Sequence, residues 1–199
     1  MQMVFRAAFG PLVLILAWLL SACGGESSAP GATRQSLQRA SFASNGLSPG
    51  FALDFPASWR YQASEASIML SNDPELLSKS DDDPAIPSGA LAVNISLLSE
   101  DQARAIGARE AAAVIDAFGG ASTNDALRRR YRDTNAITIE GREGAQSLVS
   151  VAGSDSLLLA LELEGNFVLA VAVAPEGELQ QHTNSLYAIF ASVEPLASS

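Results

Sequence analysis

The sequence is poor in the side chains from which most catalytic and metal sites are built. Its 199 residues include one Cys, one His and one Lys. A single Cys excludes a disulfide within the chain, and His182 has no second His or Cys with which to form a zinc site. No HExxH motif, nucleophile elbow or phosphate-binding loop occurs. The sequence therefore predicts a protein that is not an enzyme, with no metal site and no cofactor.

Positive charge is also scarce. The 12 Lys and Arg residues stand against 22 Asp and Glu, which gives a formal net charge of −10. An acidic surface repels nucleic acids and anionic lipids at long range, so we expect no nucleic-acid partner. The apolar segment Pro11–Leu20 is shorter than the roughly 20 residues that a transmembrane helix needs. Its length is typical of a signal peptide.

The N-terminal residues have the organisation of a bacterial lipoprotein precursor. Arg6 supplies positive charge ahead of the apolar segment, and Leu20-Ser21-Ala22-Cys23 follows as a cleavage and acylation box. We predict a signal peptide over residues 1–22 and a membrane anchor of two or three acyl chains on Cys23. Because Asp does not follow the Cys, we expect the outer membrane in a Gram-negative host, and otherwise the outer face of the plasma membrane. The alternative is that Cys23 is an ordinary small residue.

A tether and one domain follow the leader. Gly25–Pro49 is rich in Ser, Ala, Gly and Pro, which predicts a flexible linker. A short helix near Arg34–Ala43 is the one element predicted in it. Residues 23–49 are thus the acylated N-terminus and linker, and residues 50–197 form one globular domain with a single core.

Period-two alternation of apolar and polar residues predicts a series of strands in that domain. The predicted strands are Phe51–Phe55, Trp59–Ala63, Ser67–Ser71, Ala90–Leu98, Leu127–Arg132, Ala136–Glu140, Ala145–Ala152, Ser156–Glu164 and Phe167–Ala174. A single helical turn is predicted at Pro74–Ser78, inside the polar loop Asn72–Gly89. The segment Gly141-Arg142-Glu143-Gly144 is predicted to connect the two strands on either side of it.

Two helices are predicted from their end signals. Ser99 with Gln102 forms a capping-box pair, and the following segment closes with two glycines. This predicts one helix over Glu100–Phe118, with Ile106 on its inward face. Pro175 and the acidic residues after it begin a final helix, which Pro195 ends.

The hairpin around Gly165-Asn166 decides the architecture. With these two residues as the loop, both faces of the paired strands are apolar. One face carries Leu157, Leu159, Leu161, Leu163, Val168, Ala170, Ala172 and Ala174, and the other carries Leu158, Ala160, Phe167, Leu169, Val171 and Val173. Such a sheet has to be covered on both sides. The predicted fold class is therefore α+β, with an antiparallel sheet between helices (α-β-α).

Several short phrases, in this order, resemble the PsbP-like (Mog1/PsbP) family and its bacterial lipoprotein members. They are Phe55-Pro56-Ala57-Ser58-Trp59, Ile139-Glu140-Gly141, the strand Asn166–Ala174, and Leu186–Val193 with its Ile-Phe-x-Ser sequence. The resemblance covers roughly Leu47–Pro195. It implies an α-β-α sandwich and a non-enzymatic assembly role in an envelope or thylakoid. The basic and metal-binding side chains of plant PsbP have no counterparts here, so photosystem binding is not implied.

Two charged runs are candidate binding features. Arg128, Arg130 and Arg132 would line one strand face, where they could dock an acidic partner or lipid headgroups. The alternative is an edge strand that its charges protect from unwanted pairing. Asp81-Asp82-Asp83 could collect a hard cation, but the alternating ligands and the Gly turn of a calcium loop are missing. We expect a solvated acidic loop.

Three other titratable candidates have ordinary explanations. His182 is expected to be a surface or half-buried residue of the last helix. Glu162 and Glu164 share a strand face and could be an acid/base pair, but they lie beside a hairpin tip that solvent reaches. Glu110 lies at the apolar edge of the first helix, where a hydrogen-bonded carboxylate is the expected role.

The sequence thus predicts a lipid-anchored, extracytoplasmic binding or assembly protein of the bacterial cell envelope, with an envelope protein as partner. The alternative is a carrier or sensor of an apolar small molecule held between sheet and helix. Small residues at Ala113, Ala117, Ala170 and Ala172 would leave room for such a ligand, or would permit tight packing. An exposed apolar patch would favour the partner, and a closed pocket would favour the carrier.

Overall fold

The structure is a computed structural model that describes residues 36–44, 49–64, 66–78, 86–120, 133–151 and 153–196. Its strands are β1 Leu37–Phe42, β2 Phe51–Pro56, β3 Arg60–Ala63, β4 Ile68–Ser71, β5 Ala92–Leu98, β6 Asn135–Ile139, β7 Arg142–Val151, β8 Ser154–Leu163, β9 Asn166–Pro175 and β10 Glu194–Pro195. Its helices are α1 Glu100–Ala105, α2 Ala111–Gly120 and α3 Leu179–Ala191, with a 3₁₀ turn at Pro74–Leu77. No helix among these residues is long and apolar enough to cross a membrane.

Two antiparallel sheets organise the chain. The larger has seven strands in the order β3-β4-β5-β9-β8-β7-β6, and the smaller has three in the order β1-β2-β10. Helices α1 and α2 contact one face of the large sheet, while α3 contacts β8, β9, β6 and also β2. The predicted α+β class, an antiparallel sheet between helices, is confirmed. The predicted strand Leu127–Arg132 lies outside the described residues.

The two faces of the large sheet carry separate cores, as the alternation predicted. Leu157, Leu159 and Leu161 belong to the cluster that also holds the buried residues of α3. Leu158 and Ala160 belong to a second cluster with Val114 and Ile115 of α2. Because neighbouring side chains of a strand point to opposite faces, a run of apolar residues in β8 serves both cores. The prediction of a sheet covered on both sides is confirmed.

The predicted loop between β8 and β9 lies one residue too late, and the connection between β6 and β7 has two residues rather than the predicted four. The β8–β9 turn is Glu164-Gly165, since Leu163 pairs with Asn166, and the β6–β7 turn is Glu140-Gly141, since Ile139 pairs with Arg142. Both residues of each turn have positive φ, 49° and 80° in the first and 48° and 81° in the second. These are the left-handed values of a two-residue type I′ turn. The sequence signal was missed because Glu is an unusual residue at the first of these positions.

The predicted helix Glu100–Phe118 is two helices. The capping box is confirmed, because Ser99 Oγ accepts from Gln102 N and Gln102 Oε1 accepts from Ser99 N. However, α1 ends after one and a half turns, and Gly107 takes a φ of +80°, which stops the helix. The break turns Ile106 outward, where it is 48% exposed. Its predicted inward position is therefore wrong.

Strand β1 lies in the stretch that we predicted as tether with a short helix. It pairs with β2 in antiparallel register from Leu37 opposite Pro56 to Phe42 opposite Phe51. Ala40 and Phe42 are buried, and the Phe42 ring centroid lies 5.6 Å from that of Phe51. The local sequence does not favour a strand, and burial of Ala40 and Phe42 in the core stabilises it instead. The compact unit accordingly begins at Gln35 and includes residues that we assigned to the linker.

Candidate functional site

Several sequence-predicted site residues fall outside the described part of the chain. These are the acylation candidate Cys23, the basic residues Arg128, Arg130 and Arg132, and the acidic run Asp81–Asp83. The structure gives no position for them. Acylation, docking and cation binding at these residues stay predictions.

The described titratable candidates do not converge on one place. His182 is half-buried on α3, as expected, Glu162 is half-buried on β8, Glu164 is exposed in the β8–β9 turn, and Glu110 is exposed ahead of α2. Within the described ranges, no group of three or more His, Cys, Asp or Glu side chains is placed to hold a metal ion. We find no acid/base pair to assign among these four residues.

A groove lies between the small sheet and α3. Its volume is about 120 Å³. The residues that line it are Leu37, Asp54, Phe55, Pro56, Ser185, Ala188, Ile189 and Ser192. Pairing of β1 with β2 places Leu37 opposite Pro56, and α3 supplies the other wall. Leu37 is 65% exposed, more than any other large apolar side chain in the described part of the chain.

The floor of the groove is fixed by the hydroxyl of Ser192. Its Oγ accepts a hydrogen bond from Asp54 N at 2.9 Å, and it donates to Ile189 O at 2.7 Å or to Asp54 O at 3.1 Å. The end of α3 is thereby joined to the middle of β2. A further bond from Gln38 Nε2 to Trp59 O, at 2.8 Å, ties β1 to the turn after β2. A groove held in this way is pre-organised rather than formed on binding.

These contacts explain two phrases that carried the family resemblance. Phe55, Pro56 and Trp59 belong to the first phrase, and Ile189 and Ser192 belong to the second. In the structure the two phrases meet at the junction of β2 and α3, where Trp59 N also donates to Pro56 O at 2.9 Å. Their role is therefore to hold the small sheet against the helix.

Arg39 pairs with two carboxylates beside the groove. Its Nη1 lies 3.1 Å from Asp54 Oδ1, and its Nη2 pairs with Glu194 Oε2. The hydrogen bond to Glu194 raises the pKa of Arg39. Arg39 and Glu194 are exposed and Asp54 is half-buried, so these ion pairs contribute little to stability. One arginine against two carboxylates leaves a formal charge of −1 beside the groove.

A second polar cluster fastens the start of α3. The Glu178 carboxylate accepts from Ser88 Oγ at 2.7 Å and from Gly89 N at 2.6 Å, and these hydrogen bonds lower its pKa. Asp155 accepts from Gly177 N at 2.8 Å and from a serine of β7. The cluster connects the end of a loop, a strand and a helix start, and we assign it a structural role.

Comparison with known proteins gives similar folds only. No protein-family model and no curated protein matches the chain. The cyanobacterial PsbP (CyanoP) of Synechocystis sp. PCC 6803 is similar over 89% of this chain and 99% of that chain, with 15% identity and a TM-score of 0.46. Saccharomyces cerevisiae Ran-binding protein Mog1p is similar over 80% and 96%, with 10% identity and a TM-score of 0.42.

A third similar structure is LpqN, which is involved in cell envelope biogenesis of Mycobacterium tuberculosis. The similarity covers 81% of this chain and 92% of that chain, with 14% identity and a TM-score of 0.40. Two of these three structures, PsbP and Mog1p, are the proteins that give the PsbP-like (Mog1/PsbP) family its name. At these identities and scores the similarity assigns no activity to this chain.

Proposed function

We propose that this chain is a lipid-anchored, extracytoplasmic binding protein of the bacterial cell envelope, without enzymatic activity. The observation that carries the proposal is the acylation box Leu20-Ser21-Ala22-Cys23 behind an apolar segment of signal-peptide length. Two or three acyl chains would hold the protein stably at a membrane surface, whereas one chain alone gives marginal binding. The domain would then act close to that membrane.

The groove at β1, β2 and α3 is the binding surface that we propose. It combines an exposed leucine with walls fixed by hydrogen bonds. Its volume of about 120 Å³ is well below the roughly 300–1,000 Å³ of ordinary small-molecule pockets. A groove of this size accepts one or two side chains of a protein, so we propose an envelope protein as the partner.

The packing does not favour a carrier that holds its ligand between α3 and the sheet. Ala170 and Ala172 are buried in the cluster that also contains Ile189 and Phe190 of α3. Ala113 packs on the opposite face of the sheet, against the cluster of α2. The small residues that suggested a ligand space therefore do not line one space. Around Ala170 and Ala172 they permit close packing.

The basic run Arg128, Arg130 and Arg132 remains a proposed second docking element. Charge reversal at Arg128 and Arg130 should reduce partner capture if these residues dock an acidic surface. If the variant captures the partner protein as well as the wild type does, the arginines would instead protect an edge strand from unwanted pairing.

The anchor is tested by metabolic labelling of the native host with an alkynyl fatty acid, followed by membrane fractionation. The wild type should carry the label and fractionate with membranes. Cys23→Ser should lose the label and enter the soluble fraction, because Cys23 is the single thiol in the chain. Labelling that persists in Cys23→Ser would contradict the proposal.

The groove is tested by site-specific photo-crosslinking in the same host. A photoreactive amino acid in place of Leu37 should give one discrete protein adduct. Ile106 is the matched control, because it is 48% exposed and lies in the helical layer on the other side of the large sheet. Equal adducts from both positions, or none from Leu37, would exclude the groove as the docking surface.

A further inference from the structure

One hydroxyl group is buried in the α2 interface without a hydrogen-bond partner. In the described part of the chain, two buried side-chain polar atoms are in this condition, Ser147 Oγ and His182 Nε2. The His182 side chain is only half-buried, whereas Ser147 is 0% exposed. Burial of an unpaired hydroxyl costs about 1–3 kcal/mol. A serine at this position therefore destabilises the interface.

The surroundings of Ser147 are apolar, and they include several alanines beside larger side chains. It lies on β7 directly opposite Leu158 of β8, and its face of the sheet is the one that α2 contacts. The alanines of this cluster are Ala103, Ala108, Ala111, Ala145 and Ala160. Small side chains bury little apolar area, so most of the attachment of α2 comes from Val114 and Ile115, which are fully buried.

The connection before α2 contains a glycine in the left-handed conformation. Helix α1 ends at Ala105, and five residues outside both helices follow before Ala111. Gly107, in this link, has a φ of +80°, a value that glycine adopts without strain. A rotation at this link would displace α2 while the capping box of α1 stays in place.

We propose that the interface between α2 and strands β7 and β8 binds a small apolar molecule that carries one neutral hydroxyl or carbonyl group. The polar group of the ligand pairs with Ser147 Oγ, and its apolar body lies among the alanines as α2 moves away from the sheet. The ligand group is proposed to be neutral because burial of an unpaired charge is costly. The site is independent of the acyl anchor and of the groove at Leu37.

The experiment is an NMR titration of the chain from residue 23 onward, with Cys23→Ser to prevent acylation; it contains the whole compact unit from Gln35. Benzyl alcohol is the probe, and toluene, which lacks only the hydroxyl, is its matched control. Benzyl alcohol should give saturable amide shifts in α2 and around Ser147. Ser147→Ala should weaken this binding about 5- to 10-fold, the effect of one hydrogen bond, and leave toluene binding unchanged.

A second serine serves as the control variant. Ser71 is also 0% exposed, but its Oγ already donates to Leu91 O at 2.8 Å, so Ser71→Ala should leave the affinity for benzyl alcohol unchanged. Three results would overturn the proposal: no saturable shifts in α2 or β7, equal affinities of the wild type and Ser147→Ala for benzyl alcohol, or shifts confined to the groove at Leu37.

Discussion

Replacement of Ser192 by Ala should destabilise the domain by about 1.5 kcal/mol. Strand β10 pairs with β2 only through Glu194 and Pro195. The next backbone donor along this edge of β2, Asp54 N, instead donates to Ser192 Oγ at 2.9 Å. One lost hydrogen bond costs about 0.5–1.5 kcal/mol, and a donor left unpaired adds up to a similar amount. Because the site is only partly buried, water recovers a part of this loss.

Urea titration and calorimetry would measure the effect. For a domain of this size, a loss of about 1.5 kcal/mol lowers Tm by roughly 3–6 °C, with an unchanged m value. Ser192→Thr keeps the hydroxyl and should stay near the wild type. The control Ser41→Ala, at an exposed position of β1, should change stability by less than about 0.5 kcal/mol. A loss below that limit for Ser192→Ala, or an equal loss for Ser192→Thr, would refute the reasoning.

Three further predictions concern stability. Gly144→Ala should lower the free energy of unfolding, measured in urea, by about 2–4 kcal/mol. The added Cβ would lie 2.7 Å from Ala160 O, a backbone atom that has little freedom to move. A decrease of less than about 1 kcal/mol would contradict this prediction. Hydrogen bonds lower the pKa of Glu178 in the folded state below 4.5, so the ionised carboxylate stabilises the fold above about pH 4.5 and this contribution is lost as the pH falls through the folded-state pKa. The urea midpoint of the wild type should therefore fall more steeply from pH 6 to pH 3 than that of Glu178→Gln. Parallel curves for the two proteins would argue against this prediction. Ser147→Ala should raise Tm by a few degrees through removal of an unpaired buried hydroxyl, and a lower Tm would mean that the hydroxyl has a partner.

The strands and the faces of the sheet could be predicted because the residues of β8 and β9 point alternately to the two faces, and the sequence shows which residues on each face are apolar. The turn between them could not, since Glu164 occupies a left-handed position that Asn or Asp usually takes. Misplacing that loop by one residue shifted the predicted register by two. A shift of two returns each side chain to its own face, so the predicted cores stayed correct.

The elements that prediction missed depend on contacts between distant residues. Leu37–Phe42 has little local preference for a strand, and it becomes one because β2 buries Ala40 and Phe42. The break at Gly107 reverses the direction of Ile106 within an otherwise regular helical pattern. The groove combines residues from β1, β2 and α3, which are up to 155 positions apart in the chain. No window of neighbouring residues contains such a site, whereas the leader box is a local signal.

The position of β1 limits how far the groove can lie from Cys23. Fourteen residue steps separate Cys23 from Leu37 (37 − 23), and a fully extended chain covers at most about 3.3–3.6 Å per step. If Cys23 is held at a bilayer, the mouth of the groove cannot lie more than about 50 Å from that surface. A linker that ran to residue 49 would have allowed nearly twice that distance. If Cys23 is acylated as proposed, the short linker before β1 would restrict binding to molecules in the same membrane or within about 50 Å of its surface.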